Sequence, residues 1–145
     1  MTDLWATNLD DNGESLPSTP IVEQAKNLAK RTGNLVKAEV VTLQSNDEML
    51  RFDFDLVVDK LDYRFTLFSF EHSVIGYPTR LIPHTKVAKE LDCVRLPTSR
   101  GYVHAFQADD VSELMGFLSK ILGSATTSTI VKTLVAQAKS FGTNG

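Results

Sequence analysis

The stretch LRFDFDLVV, residues 50–58, alternates apolar and polar side chains, and this alternation decides the fold class. Neighbouring residues of a β-strand point to opposite faces of the sheet. The apolar face of this strand consists of Leu50, Phe52, Phe54, Leu56 and Val58. Arg51, Asp53 and Asp55 lie on the other face. One apolar and one charged face are typical of an antiparallel sheet that has one side in the core and the other in water.

The segment that follows, YRFTLFSF, begins at Tyr63 and is predicted to be the next strand. Tyr63, Phe65 and Leu67 continue the apolar face, but Phe68 and Phe70 fall out of phase with them. A change of phase inside a strand indicates either a β-bulge or a half-strand that is buried on both faces.

The rest of the chain is assigned from two side-chain periods, two residues for strands and 3.6 residues for helices. Further strands are predicted at residues 35–42, 79–82, 93–96 and 102–106. Apolar residues at helical spacing predict helices at residues 20–32, 85–91 and 110–122, and in a last segment that follows Ser124 and ends at Gly142. Long antiparallel strands with one solvent-exposed face must bury their apolar face against another layer, here the helices. We therefore expect a two-layer α+β sandwich, an antiparallel meander of five to six strands packed against N- and C-terminal helices.

Helix ends are predicted from their capping residues. Ser18 or Thr19 is expected to cap the first helix, with Pro20 at its first helical position. Asp110 and Glu113 have the spacing of a capping box at the start of the third.

Length and composition bound the possible functions. A chain of 145 residues is the usual size of one domain, which we place at residues 18–142 after a mobile acidic arm at residues 1–17. The single cysteine, the net charge of −3 and the lack of a long apolar run or leader predict a cytoplasmic protein that binds neither nucleic acid nor membrane. No cofactor motif is present, since the phosphate-binding glycine loops, H-E-x-x-H and C-x-x-C are all missing.

The turn region EHSVIGYPTRLIPH, residues 71–84, raises the question of a metal site because it holds two of the three histidines beside a carboxylate. If residues 75–78 form the loop, His72 pairs with Leu81 and His84 lies opposite Ser69. Glu71 and His72 then point to opposite faces, so three ligands do not converge. We expect a structural turn with Tyr77 exposed at its tip beside Arg80, and no metal.

A second metal hypothesis concerns Asp53 and Asp55, which share a strand face with Asp59 nearby. The alternative is a solvated face whose carboxylates are balanced by Arg51 and Arg64, and this reading is preferred because no third type of ligand accompanies the pair.

Cys93 and His104 are the only candidates for catalysis, because a neighbouring histidine can activate a thiolate. If residues 97–100 form a four-residue loop, Cys93 lies across from His104 and Arg95 across from Tyr102. On that register Val94, Leu96, Val103 and Ala105 face the core, and Cys93, Arg95, Tyr102, His104 and Phe106 share the outer face.

The leading hypothesis is a non-enzymatic protein-binding module of chaperone, inhibitor or adaptor type that can also self-associate. Its expected partner-binding residues are Trp5, Phe68, Phe70, Tyr77, Arg80, Arg95, Tyr102, His104 and Phe106, since aromatic and arginine side chains are the usual anchors of interfaces. Two alternatives stay open: a small thiol enzyme that uses Cys93 and His104, and a small-ligand binder with a void lined by Phe52, Phe54, Phe65 or Phe70.

The element order and acidic composition resemble those of the type III secretion chaperones, which implies a small dimeric protein that binds other proteins. The resemblance is one of topology and composition and includes no residue motif. The strand at 79–82 and the additional C-terminal helix depart from the plan of that family.

Overall fold

The computed structural model describes residues 2–6, 9, 16–46 and 48–142. Its helices are α1 (Ser18–Arg31), α2 (Thr85–Glu90), α3 (Val111–Leu122) and α4 (Ala125–Gly142), and a one-turn 3-10 helix covers Asp59–Leu61. Its strands are β1 (Lys37–Thr42), β2 (Met49–Val58), β3 (Tyr63–Ser73), β4 (Thr79–Pro83), β5 (Val94–Thr98) and β6 (Gly101–Ala108). The predicted order of helices and strands is confirmed.

The six strands form one antiparallel sheet in the order β1-β2-β3-β4-β6-β5, and the helices pack against one face of it. This is the expected two-layer α+β sandwich. The core between the layers is built from side chains of the sheet and of α1, α3 and α4, and its largest fully buried members include Phe54, Phe68, Phe70, Leu81 and Leu118.

The phase change in β3 is a β-bulge. Phe54 of β2 pairs with Phe68 of β3, but the next residue, Asp55, pairs with Thr66. Leu67 is therefore the extra residue, and it is buried in the core. Because a bulge restores the alternation after one inserted residue, the aromatic side chains on both sides of Leu67 can face the helices.

The β5–β6 hairpin crosses the outer face of the sheet, which is the face opposite the helices. At the hairpin tip the backbone N–H of Ser99 donates to the Glu71 carboxylate over 3.0 Å, and the Ser99 hydroxyl donates to the same group. The next residue, Arg100, approaches Asp53 at 3.6 Å. Glu71 is only 2% exposed as a result, although it lies on the polar face.

Both predicted hairpin registers are wrong by two residues. His72 pairs with Thr79 rather than Leu81, because the β3–β4 turn is longer than expected. Arg95 pairs with His104 rather than Tyr102, because the β5–β6 turn is shorter. Side chains alternate with a period of two, so a shift of two changes the neighbours of each residue but leaves it on the same face.

The faces predicted for the β5–β6 hairpin are also reversed at its base. Phe106 pairs with Leu81 of β4 and stacks on Phe117 of α3 with ring centroids 4.6 Å apart, so it belongs to the helix side. Val94, predicted to lie in the core, is 55% exposed. The apolar residues of β6 occupy both faces, and only the pairing with β4 determines which face meets the helices.

The helix ends follow the prediction in part. Asp110 accepts from the backbone N–H of Glu113 at 2.8 Å, and the Glu113 carboxylate accepts from Asp109, which confirms the capping interaction of α3. The predicted cap of α1 is wrong. The chain is already in helical conformation at Pro17, and among the described residues no side chain caps that helix.

The N-terminus of α4 is capped by a residue from another helix. The Glu90 carboxylate, at the end of α2, accepts from the backbone N–H groups of Ala125 and Thr126, each at 2.7 Å, and from the Thr126 hydroxyl at 2.6 Å. These donors lower the pKa of Glu90 below its ordinary value. A cap that lies 35 residues away in the chain could not be predicted from the sequence.

Candidate binding groove beside the last helix

The histidines of residues 71–84 have separate structural roles. His72 lies in the core, where its Nδ1 is 2.7 Å from the Ser73 carbonyl and its ring stacks on Phe52. His84 precedes α2 and accepts from the backbone N–H of Lys86. Glu71 points to the opposite face of the sheet and binds Ser99. These three side chains do not converge on a common point.

The aspartates of β2 are satisfied by neighbouring donors. Asp53 accepts from the Ser69 hydroxyl at 2.6 Å, and Asp55 accepts from Thr66 at 2.7 Å and from Arg64 at 2.9 Å. Within the described ranges, no group of three or more His, Cys, Asp or Glu side chains is placed to hold a metal ion.

The geometry does not support a Cys93–His104 dyad. His104 pairs with Arg95, so the thiol and the imidazole are two positions apart in register. Burial and the neighbouring Asp92 raise the pKa of the Cys93 thiol, while Lys120 opposes this effect. A raised pKa disfavours the thiolate, which is the reactive form.

The expected partner-binding residues are divided between the core and the surface. Phe68, Phe70 and Phe106 are buried in the core, so their rings are not available to a partner. They are therefore core residues and not the contact residues that we predicted. Their regular packing between sheet and helices explains the apolar pattern that suggested an interface.

The turn between β3 and β4 also differs from the expectation. Tyr77 is half-buried and packs against the core, and burial together with Asp110 raises the pKa of its hydroxyl. The exposed tip is formed instead by Val74 and Ile75, which are 75% and 83% exposed. Arg80 lies within 3.4 Å of Gln107 of the neighbouring strand.

Three of the expected contact residues form an exposed group on the β5–β6 hairpin. The Arg95 guanidinium lies over the Tyr102 ring, 5.1 Å from its centroid, and His104 is directly across from Arg95. All three side chains are exposed. Trp5 is also exposed, on the N-terminal segment.

A concave site with a volume of ≈ 880 Å³ lies in a groove between α4 and the start of β3. We call it the α4 groove. It is lined by Leu61, Tyr63, Phe65, Lys86, Ala125, Thr126, Thr129, Ile130, Thr133, Leu134 and Gln137. Six of these lie on one side of α4, from Thr126 to Gln137, a distance of about 17 Å along the helix axis.

The lining of the α4 groove combines apolar side chains with neutral polar ones and carries little charge. Leu61, Phe65, Ile130 and Leu134 supply apolar surface, and three threonines lie along α4. Lys86 is the only charged residue in the lining. A concave site of this size whose surface is more apolar than polar is a common form of binding site.

The small-ligand alternative required a void between sheet and helices that is lined by one or more of four phenylalanines. Of Phe52, Phe54, Phe65 and Phe70, only Phe65 lines the α4 groove. The sequence feature that could have located the groove is the distribution of apolar residues in α4. Its apolar residues occupy more than one side of the helix, so the sheet could not cover all of them.

Comparison with known protein families, curated proteins and solved structures finds no match for this chain. The resemblance to the type III secretion chaperones therefore rests on the order of elements alone. In the part of the chain that the structure describes, no single helix has the length and apolar content to cross a membrane. Only α3 and α4 taken together, as a pair bent by 54°, meet that test.

Proposed function

We propose that this protein is a non-enzymatic binding module that holds an apolar segment of another protein in the α4 groove. The observation that carries the proposal is the groove itself, an apolar site of ≈ 880 Å³ that nothing in the described residues fills. Burying apolar surface contributes about 25 cal/mol for each Å² removed from water, so an apolar partner would be stabilised there.

The shape of the α4 groove favours a chain segment over a compact ligand. Its lining follows α4 for about three turns, which matches the length of a short helix or of about five extended residues. Threonines at 126, 129 and 133 have short side chains, so a second backbone can approach α4 closely. Binding of an amphipathic helix in an apolar groove is a recurring mode of peptide recognition.

In this proposal the protein acts in the cytoplasm as a chaperone, inhibitor or adaptor. The absence of charge in most of the groove lining implies that the bound segment is apolar on the side that enters it. The exposed Arg95, Tyr102 and His104 offer a second contact area on the β5–β6 hairpin.

Site-specific photo-crosslinking tests the proposal. A benzophenone side chain at position 133 faces the α4 groove, and the same group at Lys139, an exposed position of α4 that does not line the groove, is the matched control. In cells, position 133 should form a crosslink to one discrete protein, and mass spectrometry should map it to an apolar segment. Equal crosslinking at both positions, or none at position 133, would refute the proposal.

A small amphipathic carboxylate is the second candidate ligand, because among the described residues Lys86 is the only charged one in the lining. Such a molecule would place its chain along Ile130 and Leu134 and its carboxylate at the ammonium group. Titration with dodecanoate distinguishes this candidate. Saturable binding that is weakened several-fold by Lys86→Glu supports it, and binding unchanged by that substitution excludes it.

A further inference from the structure

A second concave site lies on the other side of α4, between this helix and α1. We call it the α1–α4 cleft. Its mouth has a volume of ≈ 390 Å³, and a narrower part of ≈ 130 Å³ reaches the sheet residues Phe54, Leu56 and Leu67. Leu28, Leu122 and Val131 line both parts. The helix layer therefore leaves a cleft between α1 and α4, although the three sheet residues at its bottom are each only 1% exposed.

The charges around the α1–α4 cleft are all positive. Arg31 at the end of α1 and Lys132 of α4 line its mouth, and no acidic residue does. Within the described residues neither cation belongs to an ion pair. The cleft thus combines an apolar floor with a basic rim, and it suits a segment that is both acidic and apolar.

The N-terminal segment of this chain has that composition. Residues 1–17 contain Asp3, Asp10, Asp11 and Glu14 but no lysine or arginine. Leu4 and Trp5 are 91% and 77% exposed. Large apolar side chains in an exposed position gain free energy when an apolar surface covers them.

The segment is long enough to reach the cleft. From Pro17 to Leu28, α1 covers about 17 Å at 1.5 Å per residue. Trp5 lies 12 residues before Pro17, and an extended chain of that length spans about 40 Å. The segment is therefore long enough for Trp5 to reach Leu28.

We propose that the α1–α4 cleft is the binding site of the protein's own N-terminal segment, with Trp5 on the apolar floor and acidic side chains near Arg31 and Lys132. The contact is intramolecular and covers the mouth of the cleft, so that other apolar ligands are kept out of it. It does not depend on the α4 groove, which lies on the opposite side of α4.

Trp5 is the only tryptophan of the chain, so its fluorescence reports the contact directly. In the full-length protein, Trp5 should be quenched by acrylamide several-fold less than N-acetyltryptophanamide and should emit at shorter wavelength. High salt should weaken the protection, because ion pairs at the rim are screened. Lys132→Glu should bring quenching close to that of the free compound.

Lys139→Glu is the matched control, since Lys139 lies on the same helix, is exposed and does not line the cleft. It should leave Trp5 protected, and circular dichroism should show both variants folded. The proposal is overturned if Trp5 in the wild-type protein is quenched as freely as N-acetyltryptophanamide, or if both substitutions have the same effect. Protection that depends on protein concentration would also overturn it, because the segment would then bind a second copy.

Discussion

Phe54 and Phe68 stack across β2 and β3 with ring centroids 4.7 Å apart and an angle of 16° between the rings, at the last regular pair before the bulge. Both rings are 1% exposed. Replacing Phe54 with alanine should therefore lower the free energy of unfolding by about 3–5 kcal/mol, through lost burial and the cavity that remains.

Urea unfolding followed by circular dichroism measures this loss. Phe141→Ala, at an exposed position of α4, is the control and should change stability by less than about 1 kcal/mol. A small effect of Phe54→Ala would mean that the stacked pair is not part of the core.

Leu67 should be required for folding because it is the extra residue of the bulge. Deleting it removes the extra residue, so either Tyr63 and Phe65 or Phe68 and Phe70 must move to the polar face. We expect the deletion variant to lose its folded structure, as judged by the dispersion of amide signals in a proton–nitrogen NMR spectrum. Deleting Ile75, in the exposed β3–β4 turn, should leave the spectrum dispersed.

The Ser99–Glu71 contact should hold the β5–β6 hairpin against the outer face. In Ser99→Ala the buried carboxylate loses a hydroxyl donor, and we expect a loss of about 1–3 kcal/mol in the free energy of unfolding. Amide hydrogen exchange should also become faster in β5 and the first half of β6. Ser119→Ala, at an exposed position of α3, should do neither.

Glu90 should make stability depend on pH. Its pKa is lower in the folded protein because the N-terminus of α4 donates three hydrogen bonds to it. The stabilisation is present above the ordinary carboxyl pKa of about 4.3 and is lost as the pH falls through the folded value. Glu90→Gln should lower the melting temperature at pH 7 and reduce its fall on acidification. Parallel curves for both proteins between pH 7 and pH 3 would contradict this.

The Cys93 thiol should react slowly at neutral pH, because burial and Asp92 raise its pKa and keep it protonated. The rate of alkylation by iodoacetamide, measured from pH 6 to pH 10, should have its midpoint above that of free cysteine in the same buffer. A midpoint well below that of free cysteine would instead revive the thiol-enzyme hypothesis.

Much of the fold could be predicted from local patterns. The alternation in residues 50–58 indicated the strand and its faces, and the phase change between Leu67 and Phe68 indicated either a bulge or a half-strand buried on both faces. Asp110 and Glu113 identified the start of α3 from their spacing alone. In each case the signal lies within a few neighbouring residues, since strand and helix periodicity and capping are local properties.

The candidate sites were less predictable because they depend on which elements meet. Aromatic residues are common both in interfaces and in cores. Only the packing of the helices shows that Phe68, Phe70 and Phe106 are core residues. The two hairpin registers were predicted wrongly for a related reason. Pairings that differ by two residues bury the same side chains, so the apolar pattern of the sequence does not distinguish them.

The sequence by itself determined the class of fold, the order of its elements and the apolar face of its central strands, because side-chain periodicity and the hydrophobic effect act along the chain. The tertiary structure alone decided the contacts between distant segments. It brought Glu90 to the start of α4 and Ser99 to Glu71, and it left grooves on both sides of α4. Such contacts and grooves depend on the shapes of the assembled helices and strands and on how completely the helix layer covers the sheet.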